Sequence, residues 1–195
     1  MIIPIDKNGF WANRSTPALS LERTAGIFNR IRGETIIEIG SGLQGELNGN
    51  SILVWAQKTT AKQIITVDTD QKMIDQVINA TSQYSNVATV VGDGMQYLQQ
   101  FGSKIDLLNL DFWSDEIEHG LPCTGRAEAH RKAYGAARGK LNRRSMILID
   151  DTDHIDPWKQ TYIVTDARKD GFDVLYVGRQ TLLARNLPEN IPRVA

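Results

Sequence analysis

Residues 35–45 have the sequence Thr-Ile-Ile-Glu-Ile-Gly-Ser-Gly-Leu-Gln-Gly. The apolar run at its start predicts a buried strand, and the three glycines that follow have the G-x-G-x-x-G spacing. Glycines at this spacing let the backbone turn tightly at the head of a crossover helix and approach a bound nucleotide closely. Glu38 directly precedes the turn, where its charge would repel a pyrophosphate. The sequence therefore favours a ligand that is cationic near this point.

Acidic residues follow the other predicted strands in the same way. The apolar runs 63–67, 88–91, 105–110 and 145–149 are each followed by aspartate. These aspartates are Asp68 and Asp70, Asp93, Asp111, and Asp150, Asp151 and Asp153. Because ligands bind outside the carboxyl ends of parallel strands, the pattern predicts one acidic crevice. Such a crevice attracts a sulfonium, an ammonium or a divalent metal.

Short apolar strands alternate with amphipathic segments along nearly the whole chain. This order predicts an α/β fold with a Rossmann-like, doubly wound, seven-stranded and mostly parallel sheet. The helices are predicted after Thr16-Pro17 and at 51–59, 71–81, 94–101, 126–141 and 157–169. Two β-like runs, 172–177 and 180–185, are separated only by Gly178-Arg179, which predicts an antiparallel C-terminal hairpin. Residues 112–125 are predicted to form an irregular loop over the crevice.

The bulk composition is that of an ordinary globular protein. The chain has 195 residues, 41% hydrophobic and 23% charged, which predicts a single domain. We divide it into an N-terminal segment and helix (1–33), a core (34–185) and a tail (186–195). The net charge of −1 argues against nucleic acid as a partner. With one cysteine, no secretory signal and no run of about 20 apolar residues, a cytoplasmic protein without membrane contact is expected. A homo-oligomer is compatible with the sequence.

With these residues in place, the chain resembles a class I S-adenosylmethionine-dependent methyltransferase over residues 35–185. The resemblance implies S-adenosylmethionine as the cofactor, and a reversed terminal hairpin such as 172–185. It assigns the methionine part of the cofactor to Glu38, Gly40, Ser41 and Gly42. It further implies that Asp68 binds the ribose hydroxyls, that Gly92 and Asp93 face the adenine, and that Asp111 lies on the cofactor side.

A second resemblance covers less of the chain. Asp111, with the Asp150-Asp151 pair, is similar to the aspartates of catechol-type, metal-dependent O-methyltransferases. It implies Mg²⁺ held by Asp111, Asp150 and Asp151, where the ion orients two vicinal oxygens and lowers the pKa of one. The catalytic lysine of that group corresponds to Ser114, and serine cannot act as the same base. Solvated carboxylates, or a site for an amine substrate, are the alternatives for this cluster.

The catalytic residues we expect are Asp111, Asp151 and His154, the last because an imidazole can act as a base near pH 7. His130, on the apolar face of its helix, is expected to be a packed structural residue. The leading hypothesis is methyl transfer to a small-molecule acceptor, at oxygen, with metal assistance left open. A nicotinamide-dependent oxidoreductase is the first alternative, because the glycine turn with Asp68 also fits a dinucleotide site. A cofactor-binding scaffold without catalysis is the second.

Overall fold

The computed structural model describes residues 18–41, 50–112, 122–152 and 159–186. Within them, seven strands form one sheet in the order β3-β2-β1-β4-β5-β7-β6. Strands β1 to β5 are parallel to one another, and β7 pairs antiparallel with both β5 and β6. The predicted fold class, including the reversed hairpin, is confirmed.

The strands are β1 Thr35–Ile39, β2 Gln63–Asp68, β3 Val87–Val91, β4 Ile105–Leu110, β5 Leu141–Ile149, β6 Asp173–Val177 and β7 Thr181–Ala184. The helices are α1 Ala18–Arg30, α2 Ser51–Lys58, α3 Gln71–Thr81, α4 Gly94–Gln100, α5 Pro122–Ala137 and α6 Thr161–Lys169. A short 3-10 helix, Arg138–Lys140, leads from α5 into β5. None of the described helices is both long and apolar enough to cross a bilayer.

Helices cover both faces of the sheet, as the doubly wound topology requires. Side chains of α1, α2 and α3 pack on one face, and those of α4, α5 and α6 pack on the other. In α1, Leu21, Ala25, Phe28 and Ile31 recur every three or four residues and are all buried. In α3, Ile74 and Val77 are buried, whereas Ile78 is 46% exposed.

Several element bounds differ from the sequence prediction, among them the starts of α5 and β5. Helix α5 begins at Pro122 rather than Arg126, so the predicted loop 112–125 is helical at its end. Proline suits the first turn of a helix because its missing N–H has no partner there. Strand β5 begins at Leu141 rather than at Ser145. Its polar start is held by hydrogen bonds, since the Ser145 hydroxyl accepts from the Asn142 N–H at 2.7 Å.

Candidate functional site

The strand ends bring the predicted acidic residues to one edge of the sheet. Ile39 of β1 pairs with Val67 and with Leu110, and Leu110 pairs with Ile149. Each of these residues is near the carboxyl end of its strand. The residues that follow, including Asp68, Asp111 and Asp150, therefore lie along the same edge.

The turn after β1 is built on close backbone approach. Gly40 has φ +90°, in the region that favours glycine, and its N–H donates to the Val67 carbonyl at 2.9 Å. A Cβ on Gly40 would lie 2.4 Å from the carbonyl oxygen of Asp111. The first turn therefore packs directly on the chain leaving β4, and any side chain here would push the two apart.

Glu38 is 1% exposed and lies in a ring of neutral donors. Its Oε2 accepts from Trp55 Nε1 at 2.8 Å and from Asn109 Nδ2 at 2.9 Å, and its Oε1 accepts from the Thr66 hydroxyl at 3.4 Å. We call these four residues the Glu38 cage. Burial raises the pKa of the Glu38 carboxyl, and the hydrogen bonds partly oppose this effect. Register explains the cage, because Glu38 pairs with Thr66 on β2 and with Asn109 on β4.

Asp68, at the end of β2, orders the same turn. One carboxylate oxygen accepts from the Ser41 N–H at 2.7 Å and the other from the Asp70 N–H at 2.8 Å. Asp70, rather than Asp68, caps helix α3 by accepting from the Lys72 N–H at 2.8 Å. Asp68 is thus available at the crevice edge, although two of its acceptor positions are already used.

Asp93 follows β3 and caps the next helix. Its side chain accepts from the Gln96 N–H at 2.7 Å, and it is exposed, as Gly92 is in part. Asp93 therefore has a structural role as the cap of helix α4. Its contact with adenine stays a prediction.

Three aspartates meet beyond β4 and β5. Asp111, Asp150 and Asp151 each offer a carboxylate oxygen, and these atoms lie within 4.8 Å of one another. We call the three residues the aspartate cluster. Burial raises the pKa of Asp111 well above its ordinary value, and the charge of Asp150 adds to this effect. Burial and the charge of Asp151 also raise the pKa of Asp150.

Two cationic side chains contact the aspartate cluster. Arg179 Nη2 lies 2.8 Å from Asp151 Oδ1, and Lys159 Nζ lies 3.6 Å from Asp151 Oδ2. The Lys159 side chain is fully buried. Gln180 Nε2 donates to Asp150 Oδ1 at 2.6 Å. At this end of the site, side chains of the protein itself therefore supply positive charge to the aspartates.

The β6–β7 turn carries Arg179 and Gln180 to this position. The Thr152 N–H donates to the Arg179 carbonyl at 2.6 Å, and the Thr152 hydroxyl donates to the Gly178 carbonyl at 2.6 Å. Arg179, Gln180 and Lys159 were not predicted from the sequence as site residues. The signal for the first two was present, because a hairpin paired antiparallel on β5 returns its turn to the carboxyl end of β5.

His130 lies on α5 beside the aspartate cluster and is buried, as expected for a packed residue. Its ring stacks on Phe112, with centroids 4.1 Å apart, and Nδ1 donates to the Arg126 carbonyl at 2.9 Å. Nε2 is buried and has no hydrogen-bond partner among the described residues. Burial, with the nearby Lys159 charge, lowers the pKa of His130 to about 3, so the ring is neutral.

The structure therefore brings Glu38, Gly40, Ser41, Asp68 and Asp111 together near the ends of three adjacent strands. Gly92 and Asp93 lie further out, beyond edge strand β3. Four residues named in the sequence predictions, Gly42, Ser114, Asp153 and His154, lie outside the described residues.

No protein-family model matches this sequence, and a search of curated proteins finds no match. Solved structures do match. An S-adenosylhomocysteine-bound methyltransferase, PaMTH1 from Podospora anserina, is 18% identical with a TM-score of 0.62, covering 91% of this chain and 82% of its own. A putative O-methyltransferase from Klebsiella pneumoniae is 16% identical with a TM-score of 0.59, covering 87% and 80%.

A third match differs in its acceptor. A putative rRNA methylase from Clostridium thermocellum is 15% identical with a TM-score of 0.55, covering 85% of this chain and 95% of its own. The matches thus span more than one class of acceptor, and the expectation against nucleic acid gains no support from them. What they share is the architecture of the sheet and its helices. The chain has the fold of the class I S-adenosylmethionine-dependent methyltransferases.

Proposed function

We propose that this protein is an S-adenosylmethionine-dependent methyltransferase that acts on a small-molecule acceptor, at an oxygen atom. The observation that carries the proposal is the row of carboxylates along the carboxyl edge of β2, β1, β4 and β5. A cofactor with a sulfonium and an ammonium group suits such an edge, whereas a pyrophosphate does not. The methyltransferase fold, with S-adenosylhomocysteine bound in a similar structure, supports the same ligand.

The residues near β1 and β2 fit the cofactor side. Gly40 leaves no side chain between the turn and Asp111, so a ligand can approach the backbone. Glu38 has neutral donors in its cage, and among the described residues no cation pairs with it. Its negative charge therefore remains to attract a cationic ligand. Asp68 accepts a hydrogen bond from the Ser41 N–H and lies at the end of β2. We assign Asp68 to the ribose hydroxyls of the cofactor.

The aspartate cluster fits the acceptor side. S-adenosylmethionine supplies a methyl group on sulfur; the bond to sulfur breaks as the bond to the acceptor oxygen forms, and S-adenosylhomocysteine leaves. The hydroxyl proton needs an acceptor, and the pair Asp111 and Asp150 offers one whose pKa is raised toward the working pH. Asp151 and His154 remain the other predicted catalytic residues. Alignment of donor and acceptor supplies most of the rate.

The expected Mg²⁺ site needs carboxylate oxygens that are available to bind a metal. Asp111, Asp150 and Asp151 have the right spacing for a hard cation. However, both carboxylate oxygens of Asp151 already contact cationic side chains. The donor set therefore fits a divalent ion poorly.

Calorimetry with S-adenosylhomocysteine tests the proposal. We expect micromolar binding and no binding of NADH. Asp68→Asn should weaken binding about 10-fold, which corresponds to roughly 1.4 kcal/mol. Asp173→Asn, an exposed acid at the start of β6, is the matched control and should leave binding unchanged. Absence of binding by the wild-type chain would refute the proposal.

Turnover distinguishes an enzyme from a scaffold. Transfer of a labelled methyl group should be followed across phenols, sugars and carboxylic acids, with ribosomal and transfer RNA in parallel. Labelling of a small molecule supports the proposed acceptor class. Labelling of RNA alone would overturn that part, and binding without turnover would favour the scaffold.

A further inference from the structure

The aspartate cluster has the spacing of a metal site, but three of its six carboxylate oxygens already contact other side chains. Asp151 Oδ1 contacts Arg179 and Asp151 Oδ2 contacts Lys159. Asp150 Oδ1 accepts from Gln180 Nε2 at 2.6 Å. A hard divalent ion needs several oxygen ligands around it, and binding here would have to displace these contacts.

Both cations contact Asp151. Lys159 is fully buried, so its ammonium has no solvent to enter. Arg179 is 35% exposed, and its backbone is positioned by the Thr152 N–H, which donates to the Arg179 carbonyl at 2.6 Å. A divalent ion in contact with Asp151 would therefore lie beside two positive charges, which repel it.

The backbone conformation of Asp151 also favours contacts with protein cations over contacts with a metal ion. Asp151 has φ +52°, which is uncommon for a residue other than glycine. Such a conformation persists where the surroundings determine it. Here the surroundings are Arg179 on one carboxylate oxygen and Lys159 on the other. The strained residue is thus oriented toward protein cations.

We propose that Lys159 and Arg179 take the place of a divalent metal, so that the protein itself compensates most of the negative charge of the aspartate cluster. Lys159 and Arg179 are then positioning residues, which hold Asp151 and its neighbours in the geometry of the site. For the acceptor, this inference rests on the proposed function. Without an ion that binds two oxygens at once, a vicinal diol has no advantage over an acceptor with a single hydroxyl.

Mn²⁺ binding, followed by electron paramagnetic resonance on the full chain, tests this inference. We expect the wild-type protein to bind no Mn²⁺ up to about 1 mM, and its melting temperature to be the same with EDTA and with Mg²⁺. Binding of Mn²⁺ below about 100 μM, or a melting temperature lowered by EDTA, would overturn the proposal.

Removing one cation should create the metal site. Lys159→Met leaves three carboxylates with one cation, so we expect at least a 10-fold gain in Mn²⁺ affinity and a melting temperature that Mg²⁺ raises. Arg179→Met, at a residue 35% exposed, should show the same gain and is the variant to use if Lys159→Met does not fold. Lys58→Met removes a lysine from an exposed pair with Glu22 and should change neither quantity. A folded Lys159 or Arg179 variant with no gain in Mn²⁺ affinity would refute the inference.

These measurements need no enzymatic activity. If wild-type protein fails to bind S-adenosylhomocysteine, the proposed function fails while the Mn²⁺ results still stand. If it binds and turns over, the rate should be unchanged by EDTA. A rate abolished by EDTA and restored by Mg²⁺ would overturn the metal-free site and leave the methyltransferase proposal intact.

Discussion

The Glu38 cage and the aspartate cluster begin from the same feature, a carboxylate near the carboxyl end of a parallel strand. In the cage, one buried acid meets neutral donors from Trp55 and Asn109. In the aspartate cluster, three acids meet two protein cations and an amide. The acids of the two regions share their position along the strand, but the groups that contact these acids differ.

This difference assigns the two regions different electrical roles. The donors to Glu38 are neutral, so among the described residues no protein cation opposes the field that an ionised Glu38 would present to a cationic ligand. Cations cancel most of the charge of the aspartate cluster and leave it to handle protons. An acid at a strand end therefore does not by itself identify a metal or cofactor site.

The largest expected effect on stability comes from removing one partner of the acids in each region. Lys159→Met removes one of the two cations that contact Asp151, beside the buried Asp150, and we expect a loss of about 3–5 kcal/mol in the free energy of unfolding. Trp55→Phe removes one neutral donor and should lose about 1–3 kcal/mol. Denaturant unfolding without added metal measures both. Equal losses would contradict the distinction drawn between the two regions.

Gly40 follows the strand that carries Glu38 and packs against the backbone of Asp111. A substitution at Gly40 should therefore affect both regions. Gly40→Ala places a Cβ 2.4 Å from the Asp111 carbonyl oxygen at φ +90°, and we expect about 2–3 kcal/mol of destabilisation with loss of S-adenosylhomocysteine binding. Gly135→Ala, in helix α5 with nothing within 4 Å of the new Cβ, should stabilise by about 0.5–1 kcal/mol. Unchanged binding in Gly40→Ala would show that the turn is not part of the cofactor site.

Buried His130, near Lys159 of the site, should make the free energy of unfolding depend on pH. Its pKa is lowered from 6.5 to about 3 in the folded protein, so the unfolded chain takes up the proton first as pH falls. This group's stabilisation is present above pH 6.5 and is lost progressively toward pH 3. Between pH 7 and pH 5 it should contribute a loss of about 2 kcal/mol. His130→Phe, which can still stack on Phe112, should lack that loss when unfolding is compared at the two pH values.

Glu38→Gln gives the smallest expected effect on stability. The amide oxygen can accept from Trp55 and Asn109 while its NH₂ donates to Thr66, so we expect a change within about 1 kcal/mol at pH 7. Because the pKa of Glu38 is raised, the wild type loses stability as pH rises above 4.5, and the variant does not. The stability of the variant relative to wild type should therefore increase with pH.

Glu34→Gln is the control for that pH effect. Glu34 is exposed and pairs with Lys62 at 2.7 Å, so its removal should change stability by less than about 1 kcal/mol. A Glu38→Gln variant with affinity for S-adenosylhomocysteine equal to wild type would indicate that the cage is structural only.

Sequence patterns predicted the sheet well because apolar runs and turn residues are local signals. Strands β1 and β4 have the predicted bounds, and so does helix α3. The start of β5 was not predicted because the polar residues Asn142, Arg143 and Arg144 interrupt the apolar run near the beginning of this strand. A local pattern cannot show that a polar stretch continues a buried strand.

The acids of the site were predictable, but their partners were not. Asp111 and Asp150 follow their strands directly, whereas Gln180 reaches Asp150 across 30 residues of sequence. Lys159 gave no signal, since a lone lysine before a helix usually lies on the surface. Tertiary packing, rather than spacing, decided which carboxylates were neutralised.

The antiparallel pairing of β7 with β5 also bears on how the chain is made. Until residues 173–184 leave the ribosome, β5 is the last strand of the growing sheet, and its apolar end, Met146 to Ile149, has an open row of backbone groups. Open apolar strand edges recruit other chains. The hairpin that carries Arg179 therefore also ends the interval in which a nascent molecule is most prone to aggregate.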